Sequence, residues 1–181
     1  MRQVVAEERA EQHLGDRDRL NPYALAALHG VDVYPIDELV DEHCSDDAVQ
    51  HFLSTRQSAW SAALVPLGSA RVILENTSHS LQRRRASIAH ELGHFLLEHG
   101  FDDVLLTDDG CRQFDPTVET QAKFFSGELL VPEKGAQWAA FRGWNDEQVA
   151  EHFNVSVQFA RWRMSGARVM ARRALQRQAA R

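Results

Sequence analysis

Apolar residues recur every three or four positions over long parts of this chain, and in short runs or alternation elsewhere. Leu81, Ile88, Leu92, Phe95 and Leu96 keep a helical spacing with no proline between them. Ser80 precedes them as an N-cap and Gly100 follows as a stop, which predicts a helix over about 81–99. Asp115-Pro116 opens another helix, with Val118, Ala122, Phe125 and Leu129 as its apolar stripe and an end near Leu130, before Pro132. Residues 3–14 and 22–29 also read as helices, the second opened by Asn21-Pro22 and closed by Gly30. Residues 31–34, 59–65 and 70–75 read as strands, the last two joined as a hairpin across Pro66-Leu67-Gly68, and a short helix near 37–43 follows Pro35. Asn145 or Asp146 caps a helix carrying Val149, Ala150 and Phe153. Asn154-Val155-Ser156 then turns the chain into a last helix with Phe159 and Trp162. The plan is α+β: a sheet of about three strands packed on two antiparallel helices. Residues 1–135 form that domain, and 136–181 a helical, helix-turn-helix-like segment with a basic tail.

The first long helix carries His90, Glu91 and His94. Two histidines four apart lie one above the other on a helix face, so their rings can hold one Zn²⁺ from one side. Glu91 projects about one hundred degrees round the helix from His90. It need not be a ligand and can act as base for a water activated by the metal. Tetrahedral zinc then lacks one protein ligand. A histidine six residues after His94, preceded by a glycine at the third, is ruled out, since Leu97 and Gly100 hold those places. A carboxylate from the next long helix is the other solution. Glu119 and Glu128 are nine residues apart, half a turn out of phase, so at most one can reach the metal. The stripe beside Glu119 favours it. Glu128 is the main rival and Glu98, a turn beyond His94, a weaker one. Asp102, Asp103, Asp108 and Asp109 read as a solvated acidic loop. By position, His79, Asn76 and His99 are candidate oxyanion donors, and Asp115 and Asp108 candidates for orienting the histidine rings.

The stretch RRRASIAHELGHFLLEHG, followed by ETQAKFFSGELLVP, resembles the ImmA/IrrE metallopeptidases. Glu119, Ala122, Phe125, Leu129, Leu130 and Pro132 fit the second motif of that family. DRLNPYALAALHGVDVYPI looks like its opening helix and first strand, and EQVAEHFNVSVQFARWRM is similar to its end region. The resemblance implies a zincin-like core whose two antiparallel helices bind metal, with His90, His94 and Glu119 as ligands of one Zn²⁺ (or another divalent ion such as Mn²⁺) and Glu91 as catalytic base. It implies a site-specific endopeptidase that cuts a helix-turn-helix repressor, lifting repression of a mobile element, prophage or stress regulon. The chain lacks the repressor and sensor domains of some relatives, so the expected action is in trans. Two departures stand out: Glu98 where relatives often have His, and Ser126-Gly127 where they have Ala-Ala.

Composition changes this picture little. A length of 181 residues with 44% hydrophobic content suits a compact domain with a small appendage. No apolar run approaches the ~18–20 residues of a membrane span, and the charged N-terminus has no signal-peptide core. Cys44 and Cys111 form no C-x-x-C pair, so no disulfide framework is expected and the chain reads as cytoplasmic. Charge is uneven: beyond Glu151 come seven arginines and no acid, on a chain of net charge −6. The basic end is read first as a solvated helix end and second as a polyanion site. Gln158, Arg161 and Arg163 would be the natural DNA contacts of a regulator working through residues 145–181. A zinc-stabilised repressor-binding partner without turnover, as in a toxin–antitoxin pair, is the other alternative to an enzyme.

Overall fold

A computed structural model describes residues 1–40, 45–58, 60–100 and 115–179. The elements in chain order are α1 (Arg2–Glu11), α2 (Pro22–Leu28), β1 (Asp32–Pro35), a 3-10 turn (Ile36–Val40), α3 (Asp46–Gln50) running into a π turn (His51–Thr55), β2 (Ala62–Leu67), β3 (Ala70–Glu75), α4 (Leu81–Leu96), α5 (Pro116–Leu130), α6 (Glu133–Phe141), α7 (Asp146–Phe153) and α8 (Val157–Ala179). The class is α+β, as expected. Among the described residues no helix is long and apolar enough to cross a membrane. Cys44, Cys111 and the acidic residues Asp102, Asp103, Asp108 and Asp109 lie outside the described residues.

The chain divides into two compact units. One holds Met1 and Asn21–Ser126, the other Arg2–Leu20 with Gly127–Arg181.

In the first unit the sheet is three-stranded, in the order β1-β3-β2. β1 pairs with β3 in parallel and β2 with β3 antiparallel, with Leu64 opposite Ile73. Gly68, at φ 58, opens the two-residue turn between β2 and β3 in the left-handed conformation such a hairpin needs. The strand expected over 59–65 instead runs 62–67 and includes Pro66. An edge strand tolerates that proline because one row of its amides faces away from the ladder. The helix expected near 37–43 is a 3-10 turn over 36–40, its remainder falling outside the described residues. α2 packs on β1 and α4, and α4 on β2 and β3. Leu25, Ala26, Leu64, Ile73, Ile88, Ala89, Leu92, Ala122 and Phe125 fill the core between them.

A buried polar cluster ties three of these elements together. Glu75 at the end of β3 accepts from the Tyr23 hydroxyl of α2 at 2.7 Å and from the Arg84 guanidinium of α4. Burial, and then the hydrogen bond to Glu75, push the Tyr23 phenol up to about 12. A phenol whose folded pKa exceeds its unfolded value of about 10 stabilises the fold fully below pH ~10; that contribution fades as pH rises through 12. Titration followed at 295 nm should show a tyrosine step near pH 12. Tyr23→Phe should remove that step; removal of an ordinary step near 10 instead would refute the assignment.

In the second unit α6 and α7 pack on α8. Ala136, Ala139, Val149, Phe153, Ala160 and Met164 are buried there. Arg9 of α1 is 2% exposed. It donates to the carbonyls of Leu129, Gly15 and Asp18, each at 2.6 Å. Those bonds fasten α1 to the end of α5, and burial pulls the Arg9 pKa down. The α7–α8 turn is built as the sequence predicts. Asn145 and Gln148 form a reciprocal cap, Asn154 takes a left-handed φ of 53°, and Ser156 accepts from the Phe159 amide.

Candidate metal centre

α4 starts as its sequence predicts, with the Ser80 hydroxyl accepting from the Arg83 amide. It ends earlier than expected. Glu98, not Gly100, takes the left-handed turn at φ 54. The Glu98 amide then bonds the Phe95 carbonyl, and the His99 amide the His94 carbonyl. That pair of bonds is a Schellman ending, which folds the next side chain back over the last turn. Glu98 therefore leaves the stripe it would share with His90 and His94 in a longer helix. His99 comes back onto His94.

Three side chains converge on one point. His90 Nε2 lies 3.2 Å from Glu119 Oε2, and His94 Nε2 lies 3.3 Å from Glu119 Oε1. The two imidazole Nε2 atoms are 3.1 Å apart. Donors at about 2.0–2.1 Å from a tetrahedral ion are about 3.3 Å from one another, and these contacts, with one carboxylate oxygen turned to each ring, are of that size, so the three residues could hold one ion. Their chemistry agrees: with neutral rings presenting Nε2 lone pairs, two nitrogens and a carboxylate repel one another unless a cation sits among them. Burial, followed by repulsion from His99 and Lys123, lowers the His90 pKa and so favours the neutral ring that a metal requires.

The helices must approach closely to make this point. A Cβ on Gly93 would lie 3.2 Å from both Cα and O of Ala122, one turn along α5 from Glu119. Those are backbone atoms and cannot swing aside. Gly93→Ala is expected to cost about 1–3 kcal/mol and to weaken zinc binding as α5 shifts outward. Urea unfolding and chelator competition measure the two effects, and unchanged zinc affinity would refute the second.

The other candidates lie elsewhere. Glu128, the main rival for the third ligand, holds Arg163 at 2.6 Å and accepts from the Glu133 amide. Glu98 is outside the cluster. Glu91 faces the sheet, its Oε2 accepting from the Leu64 amide of β2 at 2.9 Å. Of the oxyanion candidates, Asn76 bonds the Phe52 and Trp60 carbonyls and accepts from Ser78, bracing the connection into α4. His79 bonds the Gln57 carbonyl, and His99 meets His94 Nδ1 at 3.1 Å. Asp115 caps α5 through the Thr117 amide and touches no histidine in that role. Sequence reasoning missed Gln121, whose Oε1 is 3.0 Å from His99 Nε2. Its signal was position alone: two residues past Glu119 on the same helix. A cavity of about 440 Å³ opens beside the cluster, lined by Arg71, Phe95, His94, Glu98 and His99 among others.

In the second unit, two of the three residues named as DNA contacts are spent internally. Arg161 and Arg168 pair with Asp146, and Arg163 with Glu128.

Comparison with known proteins adds an independent view. The family model described as the IrrE N-terminal-like domain matches residues 26–165. The metallopeptidase ImmA of Bacillus subtilis (strain 168) is 32% identical over 85 residues, 45% of this chain and 49% of that protein. The chain thus spans about half the length of this curated relative. No solved structure matches it.

Proposed function

The chain belongs to the ImmA/IrrE peptidase family, and on that premise we propose that it is a zinc-dependent endopeptidase. Its substrate is a helix-turn-helix repressor, cut at one site so that a mobile element, prophage or stress regulon is released from repression. One observation carries the reading: His90, His94 and Glu119 come close enough to hold one ion as a ligand set, one residue from a glutamate that is outside that set.

The residues divide the work. His90, His94 and Glu119 would hold the ion, and a zinc ion so held supplies Lewis acidity that acidifies water and polarises a carbonyl. Glu91 accepts a proton from the attacking water and delivers it to the leaving amine. The Leu64 amide holds one oxygen of that carboxylate, so the proton moves at a fixed place. β1 and β2 are the sheet's edges among the described residues, and β2 carries this contact. An extended substrate segment added along such an edge would run past Glu91.

The test is incubation of the zinc-loaded chain with a helix-turn-helix repressor of its own genome, chosen from the genes flanking its own, read by intact mass. The expected result is two fragments that sum to the repressor plus one water. A chelator should stop cleavage and added zinc restore it. An uncut repressor, or cleavage indifferent to the chelator, overturns the proposal.

A further inference from the structure

We propose that His99 and Gln121 are positioning residues that fix the tautomer and ring orientation of His94. The inference rests on the reading of His94 as a metal ligand. Three contacts run in series: Gln121 Oε1 to His99 Nε2 at 3.0 Å, His99 Nδ1 to His94 Nδ1 at 3.1 Å, and His94 Nε2 into the cluster with Glu119 Oε1 at 3.3 Å.

The proton positions follow from one end. A carbonyl oxygen only accepts, so Gln121 Oε1 requires the proton of His99 on Nε2. A neutral His99 then presents a lone pair at Nδ1. That lone pair requires a donor opposite, which places the His94 proton on Nδ1. His94 Nε2 is left with its lone pair toward His90 and Glu119, the form that binds a metal. The opposite tautomer of His94 would set lone pair against lone pair at Gln121. Ligating imidazoles generally give their second N–H to an oriented acceptor, and losing it costs about 10–100-fold in metal affinity.

The backbone explains how His99 gets there. The Schellman ending at Glu98 turns the chain at the one point that returns His99 to the last turn of α4. Gln121 reaches it from α5, the helix that also carries Glu119. The two helices are therefore joined beside the donor cluster as well as through it. The rings of His94 and His99 meet edge to face, at 71° with centroids 5.1 Å apart, so ring packing restrains His94 as well.

The experiment uses the full chain and two metals. Zinc affinity is read by competition with a chromophoric chelator, and ligand geometry by the visible spectrum of the Co²⁺-loaded protein. His99→Phe keeps a ring in place without an acceptor. It should lose about 10–100-fold in zinc affinity and shift the Co²⁺ bands. His99→Gln, which can still accept at that point, should recover most of both. Gln121→Leu should fall between, and it serves if His99→Phe does not fold by circular dichroism. Wild-type affinity and spectrum in both His99→Phe and Gln121→Leu overturn the inference, as does a His99→Gln protein no better than His99→Phe. His94→Ala separates the two levels: if it binds zinc as tightly as wild type, the ligand reading itself has failed.

Discussion

Glu91→Gln is expected to slow repressor cleavage by about 10²–10⁴-fold while leaving the zinc content unchanged. The substitution keeps size and shape. Its amide oxygen can still accept from the Leu64 amide, so the link between α4 and β2 survives. What is lost is a carboxylate able to take a proton from water and return it to the leaving amine. Such a loss corresponds to about 3–5 kcal/mol on the barrier. Because Glu91 is outside the cluster of His90, His94 and Glu119, metal binding should be indifferent to the change. Fragment mass against time gives the rate and metal analysis the stoichiometry. A Glu91→Gln protein that cuts at the wild-type rate has some other base. One that relieves repression without cutting is a binding partner and not an enzyme.

Glu128→Ala should behave in the opposite way, destabilising the fold by about 3–5 kcal/mol with zinc affinity intact. The Glu128 and Arg163 side chains are 7% and 11% exposed and meet at 2.6 Å. Removing the carboxylate leaves a guanidinium largely out of water with no anion to balance it, held by the Val131 carbonyl and the face of Trp162. It also strips the Glu133 amide, in the first turn of α6, of its acceptor. Glu128→Gln keeps an acceptor and should cost less, since only the charge is lost. Urea unfolding measures both. Should Glu128→Ala lose zinc and keep its stability, Glu128 and not Glu119 would belong among the ligands.

That contrast between two glutamates on one helix was half legible in the sequence. Nine residues put them on opposite sides of α5, and the stripe of Ala122, Phe125 and Leu129 marked the side toward the core. The start of α4, both ends of α5, the caps at Ser80, Asn145 and Ser156, and the presence of three strands were legible because each rests on local spacing or on one side chain's hydrogen bond. What was hidden depends on contacts distant in sequence or on backbone detail. The helical turns over 46–55 carry no clear amphipathic spacing. α6 was merged into a generic helical segment after Pro132. Pro66 and Leu67 read as part of the turn, whereas β2 runs on through them. The end of α4 at a left-handed Glu98 defied the preference for glycine, and with it went the meeting of His99, His94 and Gln121. No periodicity announces a contact between a residue past one helix and a residue in the middle of the next.

The clamp of Arg9 on the Leu129 carbonyl has a consequence for how the chain is made. The unit built from Arg2–Leu20 and Gly127–Arg181 draws on two separate stretches, whereas Asn21–Ser126 is continuous. As the polypeptide leaves the ribosome, N-terminal part first, the continuous segment can collapse on its own residues. The guanidinium near the beginning must wait in water until more than a hundred further residues have emerged. Synthesis thus gives the segment that carries His90, His94 and Glu119 a head start over the discontinuous unit.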